Sequence, residues 1–319
     1  MSGLTLKNVS KTFAGKKVVD KVSLKLDQPG VYGLLGTNGA GKTTTIRMLL
    51  GILNKDSGEI TWNDQPVNRK DVNFGYLPEE RGVYPKTKIL DQLIYFAELK
   101  GMNKTDAETS IRKWARQLKV EEYLEMPAEK LSKGNQQKIQ FMTAIIHNPD
   151  LVVLDEPFSG LDPVNTNILK DIIIGLVRDG KYVIMSAHQM TTIEEFCKDI
   201  LILNKGKTVL QGNLKDIKAT YPANRVEIDV DEDISEHIKS AKLEIINEKN
   251  HQYTIKISNE TATEKLLQKL VENRIKINKF EILKPTLNDI FIEKVGATDD
   301  AEADNSMTED IAQKGTENE

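Results

Sequence analysis

Four residues separate Gly36 from Gly41, and Lys42 and Thr43 follow directly, in the run Gly36-Thr37-Asn38-Gly39-Ala40-Gly41-Lys42-Thr43. Residues of these types at this spacing serve phosphate chemistry. Glycines admit a tight turn that aims successive backbone N–H groups inward, and a helix starting behind them adds unpaired N–H groups and the positive end of its dipole. Lys42 then reaches the β- and γ-phosphates of a nucleoside triphosphate, and the Thr43 hydroxyl becomes a ligand for the accompanying Mg2+. A second chemical cluster is Asp155-Glu156, directly after the apolar run Leu151-Val152-Val153-Leu154. Such a run predicts a strand buried on both faces, where two terminal carboxylates are costly unless they work. Downstream of a phosphate loop, the pattern places Asp155 on magnesium and Glu156 beside the attacking water.

Three weaker signals join these. Ser186-Ala187-His188 follows another apolar run, Tyr182 to Met185, at the sheet edge where ligands of open α/β sheets sit, so His188 is expected at the γ-phosphate. Ser132, in Leu131-Ser132-Lys133-Gly134-Asn135-Gln136, is placed to cap a helix reaching about His147, whose amino end is free to meet an anion. Phe13 stands in a polar stretch before Gly15, where it either packs in a loop or stacks on an adenine ring.

The elements that must position these groups follow from periodicity. Val31 to Leu35 predicts the strand before the phosphate loop, and Thr44 to Leu50 the helix after it. Leu4 to Val9 alternates like an edge strand, with Val22 to Leu26 its antiparallel neighbour; Glu59 to Trp62 and Phe74 to Leu77 are short strands. Helices are predicted over Lys88 to Lys100, Asp106 to Leu118, Pro163 to Arg178 and Thr191 to Cys197. Beyond Thr220 the pattern changes to a small α+β unit: strands at Arg225 to Val230, Tyr253 to Ile257 and Ile275 to Ile282, helices at Ile234 to Ala241 and Thr261 to Glu272.

Composition sets the outer limits. The 319 residues suit about two domains of ~100–200 residues each. With 39% hydrophobic and 29% charged residues, no apolar run long enough for a bilayer and no signal-peptide core, the chain is expected in the cytoplasm. Cys197 is the single cysteine, which excludes an internal disulfide and a cysteine zinc site. The formal charge of −4 leaves no whole-chain footprint for nucleic acid. Ala297 to Glu319 carries a net −7, so the rest is about +3; this tail is expected to be disordered and solvated.

Taken in order and spacing, the phosphate loop, Leu-Ser-x-Gly before a helix, the strand ending in Asp-Glu, Ser159-Gly160-Leu161-Asp162 and Ser-Ala-His resemble the ATP-binding cassette (ABC) ATPases over about Leu4 to Thr220. The resemblance implies an α/β fold: a P-loop ABC ATPase domain with a mixed-sheet core, an antiparallel β subdomain and a helical subdomain. It implies that two cassettes close head to tail on two ATP molecules, so that a chain with one cassette forms a homodimer. By position, Phe13 resembles the adenine-stacking aromatic, Gly36 to Thr43 with Thr44 the phosphate and magnesium cradle, and Asp155 the magnesium-side carboxylate. Glu156 resembles the general base, His188 the γ-phosphate switch and Asp162 a cross-dimer contact, while Ser132 and Gly134 would touch the partner's γ-phosphate.

Two positions depart from that family's pattern. Glu79 stands where the family presents a glutamine whose oxygen approaches magnesium, and Lys133 and Asn135 replace Gly and Gln of the usual Leu-Ser-Gly-Gly-Gln. Lys133 would offset the charge of Glu79 across the closed dimer.

Pro285 to Phe291 is similar to the closing helix after cassettes of drug- and sodium-exporting systems. The expected organisation is a cassette at 1–220, an accessory α+β domain at 221–296 and an acidic tail at 297–319. The resemblance further implies a separate integral-membrane permease docking near Glu79 to Tyr84, a peripheral location on the cytoplasmic face of the membrane, and Na+ or an amphipathic drug as cargo. The competing reading is a soluble cassette ATPase acting on ribosomes or nucleic acid, against which stand the single cassette, the lack of a basic arm and the acidic tail.

Overall fold

The structure, a computed structural model, describes residues 3–67, 73–80, 82–187, 190–257 and 260–296. The chain divides into two units, Met1–Asn213 and Leu214–Glu319. In the first run β1 (Leu4–Phe13), β2 (Lys16–Leu26), β3 (Gly30–Gly36), α1 (Lys42–Leu49), β4 (Ser57–Trp62), β5 (Gln65–Pro66) and β6 (Phe74–Leu77). There follow α2 (Ile89–Leu99), α3 (Lys104–Leu118), α4 (Lys133–Ile145), β7 (Leu151–Asp155), α5 (Pro163–Arg178), β8 (Tyr182–Ser186), α6 (Met190–Phe196), β9 (Asp199–Asn204) and β10 (Lys207–Asn213).

A six-stranded sheet has the order β10-β9-β3-β8-β7-β6, parallel except for β10. Every residue of β7 and β8 is buried, which is why both segments are continuously apolar rather than alternating. A second, antiparallel sheet has the order β2-β1-β4-β5. Ile46 and Leu49 of α1 share one buried core with Leu4, Leu6 and Val22 of the second sheet and Leu34, Val153 and Ile184 of the first. Each such side chain, fully buried, contributes roughly 1.5–3 kcal/mol. Helices α2, α3 and α4 pack on one another, and α4 also packs on β6. Their starts are written locally: Asn103 accepts the Asp106 N–H at 2.9 Å, and Ser132 caps α4 as the sequence predicts.

Two details differ from the sequence reading. β1 is not an edge: it lies between β2 and β4 and pairs with both. One-sided alternation reports which face is buried, and says nothing about which backbone edges are paired. The hairpin β9-β10 was also not expected; it turns at Lys205-Gly206, both at positive φ, and closes the far edge of the larger sheet.

The second unit contains α7 (Leu214–Thr220), β11 (Arg225–Val230), α8 (Ser235–Ser240), β12 (Glu244–Lys249), β13 (Gln252–Lys256), α9 (Glu260–Glu272) and β14 (Ile277–Leu283), with residues 287–296 helical. Its antiparallel sheet has the order β12-β13-β11-β14. Val226, Ile228, Tyr253 and Ile255 turn one sheet face onto Ile238, Leu266 and Leu270 of the helices. Arg225 pairs with Asp289 at 2.6 Å, and Asp289 also accepts the Thr286 N–H and hydroxyl, which fixes the start of the last helix. β12 escaped the alternation pattern because little of it is covered. The acidic tail lies outside the described residues.

One buried histidine makes the first unit sensitive to acid. Nε2 of His147, just beyond α4, lies 3.1 Å from the Phe74 carbonyl oxygen, which also accepts the Lys100 ammonium at 2.8 Å. Burial first, then the Lys100 charge, lowers the His147 pKa from 6.5 to about 4, against the opposing pull of the carbonyl. An unfolded histidine binds its proton near pH 6.5, so this contribution to stability is complete above 6.5 and is lost as pH falls toward 4, by about 3 kcal/mol. In urea titrations, His147→Gln is expected to lose less stability than the parent between pH 6.5 and 4; parallel pH profiles would remove His147 as the cause.

Candidate functional site

The phosphate loop is forced into shape by its neighbours. Gly36 at φ +152° and Gly41 at φ +100° adopt conformations that side chains avoid, and a Cβ at Gly41 would stand 2.6 Å from the Val18 carbonyl oxygen. The β9-β10 turn braces the other side, its Gly206 N–H donating to the Ala40 carbonyl at 3.0 Å. Inside the loop the Lys42 ammonium donates to the carbonyls of Gly36 at 2.8 Å and Thr37 at 3.2 Å. Thr37 and Gly36 therefore hold the lysine, while residues 38–44 line a cleft of about 200 Å³ with Val18, Glu79, Asp155 and Glu156.

The carboxylates arrive from the larger sheet. Asp155, the last residue of β7, is opposite Ser186, the last residue of β8. The Ser186 hydroxyl donates to Asp155 Oδ1 at 2.5 Å and accepts the Glu156 N–H at 3.2 Å, so one hydroxyl orients both acids. Glu156 has φ +53°, a left-handed backbone that costs about 1 kcal/mol for a non-glycine residue. That turn carries the chain out of β7 with Glu156 on the cleft wall. Burial lowers the Lys42 pKa, and the Glu156, Asp155 and Glu79 carboxylates oppose the shift. Three carboxylates and one ammonium make a cleft that needs further positive charge when a phosphate chain enters.

Magnesium fits this donor set. The Thr43 hydroxyl donates to Asp155 Oδ2 across 3.5 Å, so two hard oxygens meet beside the phosphate loop. No group of three or more His, Cys, Asp or Glu gathers as a metal site among the described residues.

Other sequence-predicted residues lie elsewhere. Phe13 is on β1, paired with Lys16, rather than in a loop; its ring is 45% exposed, with the Lys11 ammonium 5.5 Å from the centroid, and it does not line the cleft. Ser132 accepts the Asn135 N–H at 3.3 Å, and a Cβ on Gly134 would lie 3.4 Å from Leu161; neither residue lines this chain's own cleft. Asp162 caps α5, accepting the Asn165 N–H at 2.9 Å and side-chain amide at 2.5 Å, while Asn165 in turn accepts Lys138 at 2.9 Å. His188 lies outside the described residues. Sequence reasoning missed Val18 and the role of Ser186. Only strand register brings Ser186 to Asp155 across 31 positions, although its place at the end of an apolar strand was visible.

The comparisons with known proteins bear on the same residues. Residues 19–159 match the family model described as ABC transporter, and residues 212–295 match that of the C-terminal domain of DrrA1-3-like ATP-binding proteins. The chain is 45% identical over 295 residues to the uncharacterized ABC transporter ATP-binding protein YhaQ of Bacillus subtilis, covering 92% of this chain and 99% of that protein. It is 33% identical to the ABC transporter ATP-binding protein NatA of B. subtilis, over 70% of this chain and 94% of that one. The lipopolysaccharide export system ATP-binding protein LptB of Escherichia coli is 30% identical, over 71% and 97%. A solved ATP-binding subunit of an ABC transporter superposes with a TM-score of 0.64 at 28% identity, covering 69% of this chain and 93% of that one. A cleft of this construction, in a chain that matches a relative over nearly its whole length, makes this protein a member of the ABC transporter ATP-binding proteins, nucleotide-binding subunits whose general activity is ATP hydrolysis.

Proposed function

We propose that the chain is the ATPase subunit of an exporter, acting as a head-to-tail homodimer on a separate membrane permease at the cytoplasmic face of the membrane. The observation that carries this is an exposed aromatic cluster on α2 and in the segment before it. Tyr84 stacks on Phe96 at 6.0 Å, Tyr95 lies 5.8 Å from Phe96, and Tyr84 and Tyr95 are about half exposed. Buried Gln92 holds this surface in place by accepting the Tyr84 N–H at 3.0 Å. Aromatic groups held out into solvent five residues beyond Glu79 suit a docked helix. Among the described residues no helix is long and apolar enough to cross a membrane. Export as the direction is supported by the relative named for lipopolysaccharide export. Na+ or an amphipathic drug remain the cargo classes proposed from the sequence.

In this mechanism Lys42 and the N–H groups of the loop hold the β- and γ-phosphates. Thr43 and Asp155 would hold Mg2+, which when bound would neutralise charge on the phosphate oxygens. Glu156 accepts a proton from the water that attacks the γ-phosphorus, and His188 contacts the γ-phosphate. Ser132 and Gly134 of one copy complete the other copy's site with the amino end of α4, and Asp162 stands at the same interface. Phe13 stacks on adenine, a role its exposed ring on β1 supports.

Affinity-tagged chain extracted from membranes in mild detergent is expected to bring down a stoichiometric multi-spanning protein that changes its ATP turnover. Recovery with ribosomes or nucleic acid, and with no membrane protein, overturns the exporter reading.

A further inference from the structure

Gln140 is buried in the middle of α4, only 2% exposed, and its chemistry is not used by the core around it. Its side-chain amide spends both N–H groups on backbone: Nε2 donates to the Pro78 carbonyl at 3.2 Å and to the Glu80 carbonyl at 2.7 Å. These two carbonyls flank Glu79, which lines the cleft together with Lys42. Oε1 of the same amide is buried without a hydrogen-bond partner among the described residues. A buried amide oxygen left unmatched is costly, so packing alone would favour an apolar residue here. What the side chain contributes here is its nitrogen, which ties two backbone carbonyls to α4.

We propose that Gln140 is a positioning residue that acts through Glu79: it clamps the backbone on both sides of Glu79 and makes that loop move with α4 as one body. Gln140 lies seven positions along the helix from Lys133 at the start of α4, a rise of about 10 Å along a rigid rod. The cap at Ser132 and the Glu79 loop are thereby mechanically one piece within a chain. Under the proposed function, which this inference rests on, the amino end of α4 completes the partner's site while Glu79 faces the nucleotide of its own. One amide then couples closure of the dimer to the charge placed at the bound nucleotide.

The test is a double-mutant cycle on ATP turnover of the full chain. Gln140→Met keeps the length and removes both donors; kcat is expected to fall roughly five- to twentyfold with KM for ATP little changed. In a Glu79→Ala background the same change is expected to cost nothing further. Losses that multiply, or a folded Gln140→Met with parental kcat, overturn the inference while leaving the nucleotide site intact. Parental turnover of Glu79→Ala alone removes Glu79 from the site, and the inference with it. Should Gln140→Met fail to fold, Gln140→Glu serves: its carboxyl donates only when protonated, so its turnover relative to the parent should rise as pH falls, and a flat ratio overturns the clamp.

Discussion

Glu156→Gln is expected to lower ATP turnover by roughly 10²- to 10⁴-fold while leaving ATP bound. The substitution is isosteric, and the backbone bond from the Glu156 N–H to Ser186 survives it, so the wall of the cleft keeps its shape. What is lost is the carboxylate that takes the proton of the attacking water; a neutral amide has no such capacity near pH 7. What remains includes Lys42, the loop N–H groups and the pair of oxygens on Thr43 and Asp155. Removing one of three carboxylates from the cleft also favours a polyanionic ligand. Under the proposed function the result is an ATP-bound dimer that accumulates, read as a doubling of mass by light scattering on adding ATP and Mg2+. Comparable turnover, together with no ATP-induced dimer, would remove Glu156 from the base role.

Lys42→Ala should weaken ATP binding by roughly 30- to 1000-fold, equivalent to about 2–4 kcal/mol. The argument is one of charge. Lys42 is the ammonium that Glu79, Asp155 and Glu156 all face, and without it a phosphate chain enters a cleft of uncompensated carboxylates. The same change frees the carbonyls of Gly36 and Thr37 that the ammonium bridges, loosening the loop whose N–H groups bind phosphate. Isothermal titration with ATP and Mg2+ gives the loss directly, and circular dichroism separates it from unfolding. An unchanged Kd would show that the loop backbone binds alone and that the lysine acts only later. Lys42→Arg is expected to recover little, because a planar guanidinium cannot occupy the space where a point charge sits between two carbonyls.

The phosphate loop, the cap at Ser132 and the buried strands β7 and β8 were legible because each depends on a few contiguous residues. Glycine at a left-handed φ, an oxygen at the start of a helix and an apolar run covered on both faces are local requirements, and local requirements leave local traces. β1 was misread as an edge, and Phe13 as part of a loop, because pairing along the backbone leaves no mark on side-chain alternation. The hairpin β9-β10 went unnoticed although its turn carries a glycine, and its importance as a brace on Ala40 follows only from the fold.

By itself the sequence determined the reaction class: a phosphate loop with a lysine, a hydroxyl for the metal, and two acids at the end of a buried strand. The tertiary structure alone decided that Ser186 orients both acids, that Val18 closes the turn at Gly41, and that Gln140 grips the chain on either side of Glu79. Those partners are separated by 23 to 62 positions, and sheet register and helix packing bring them together.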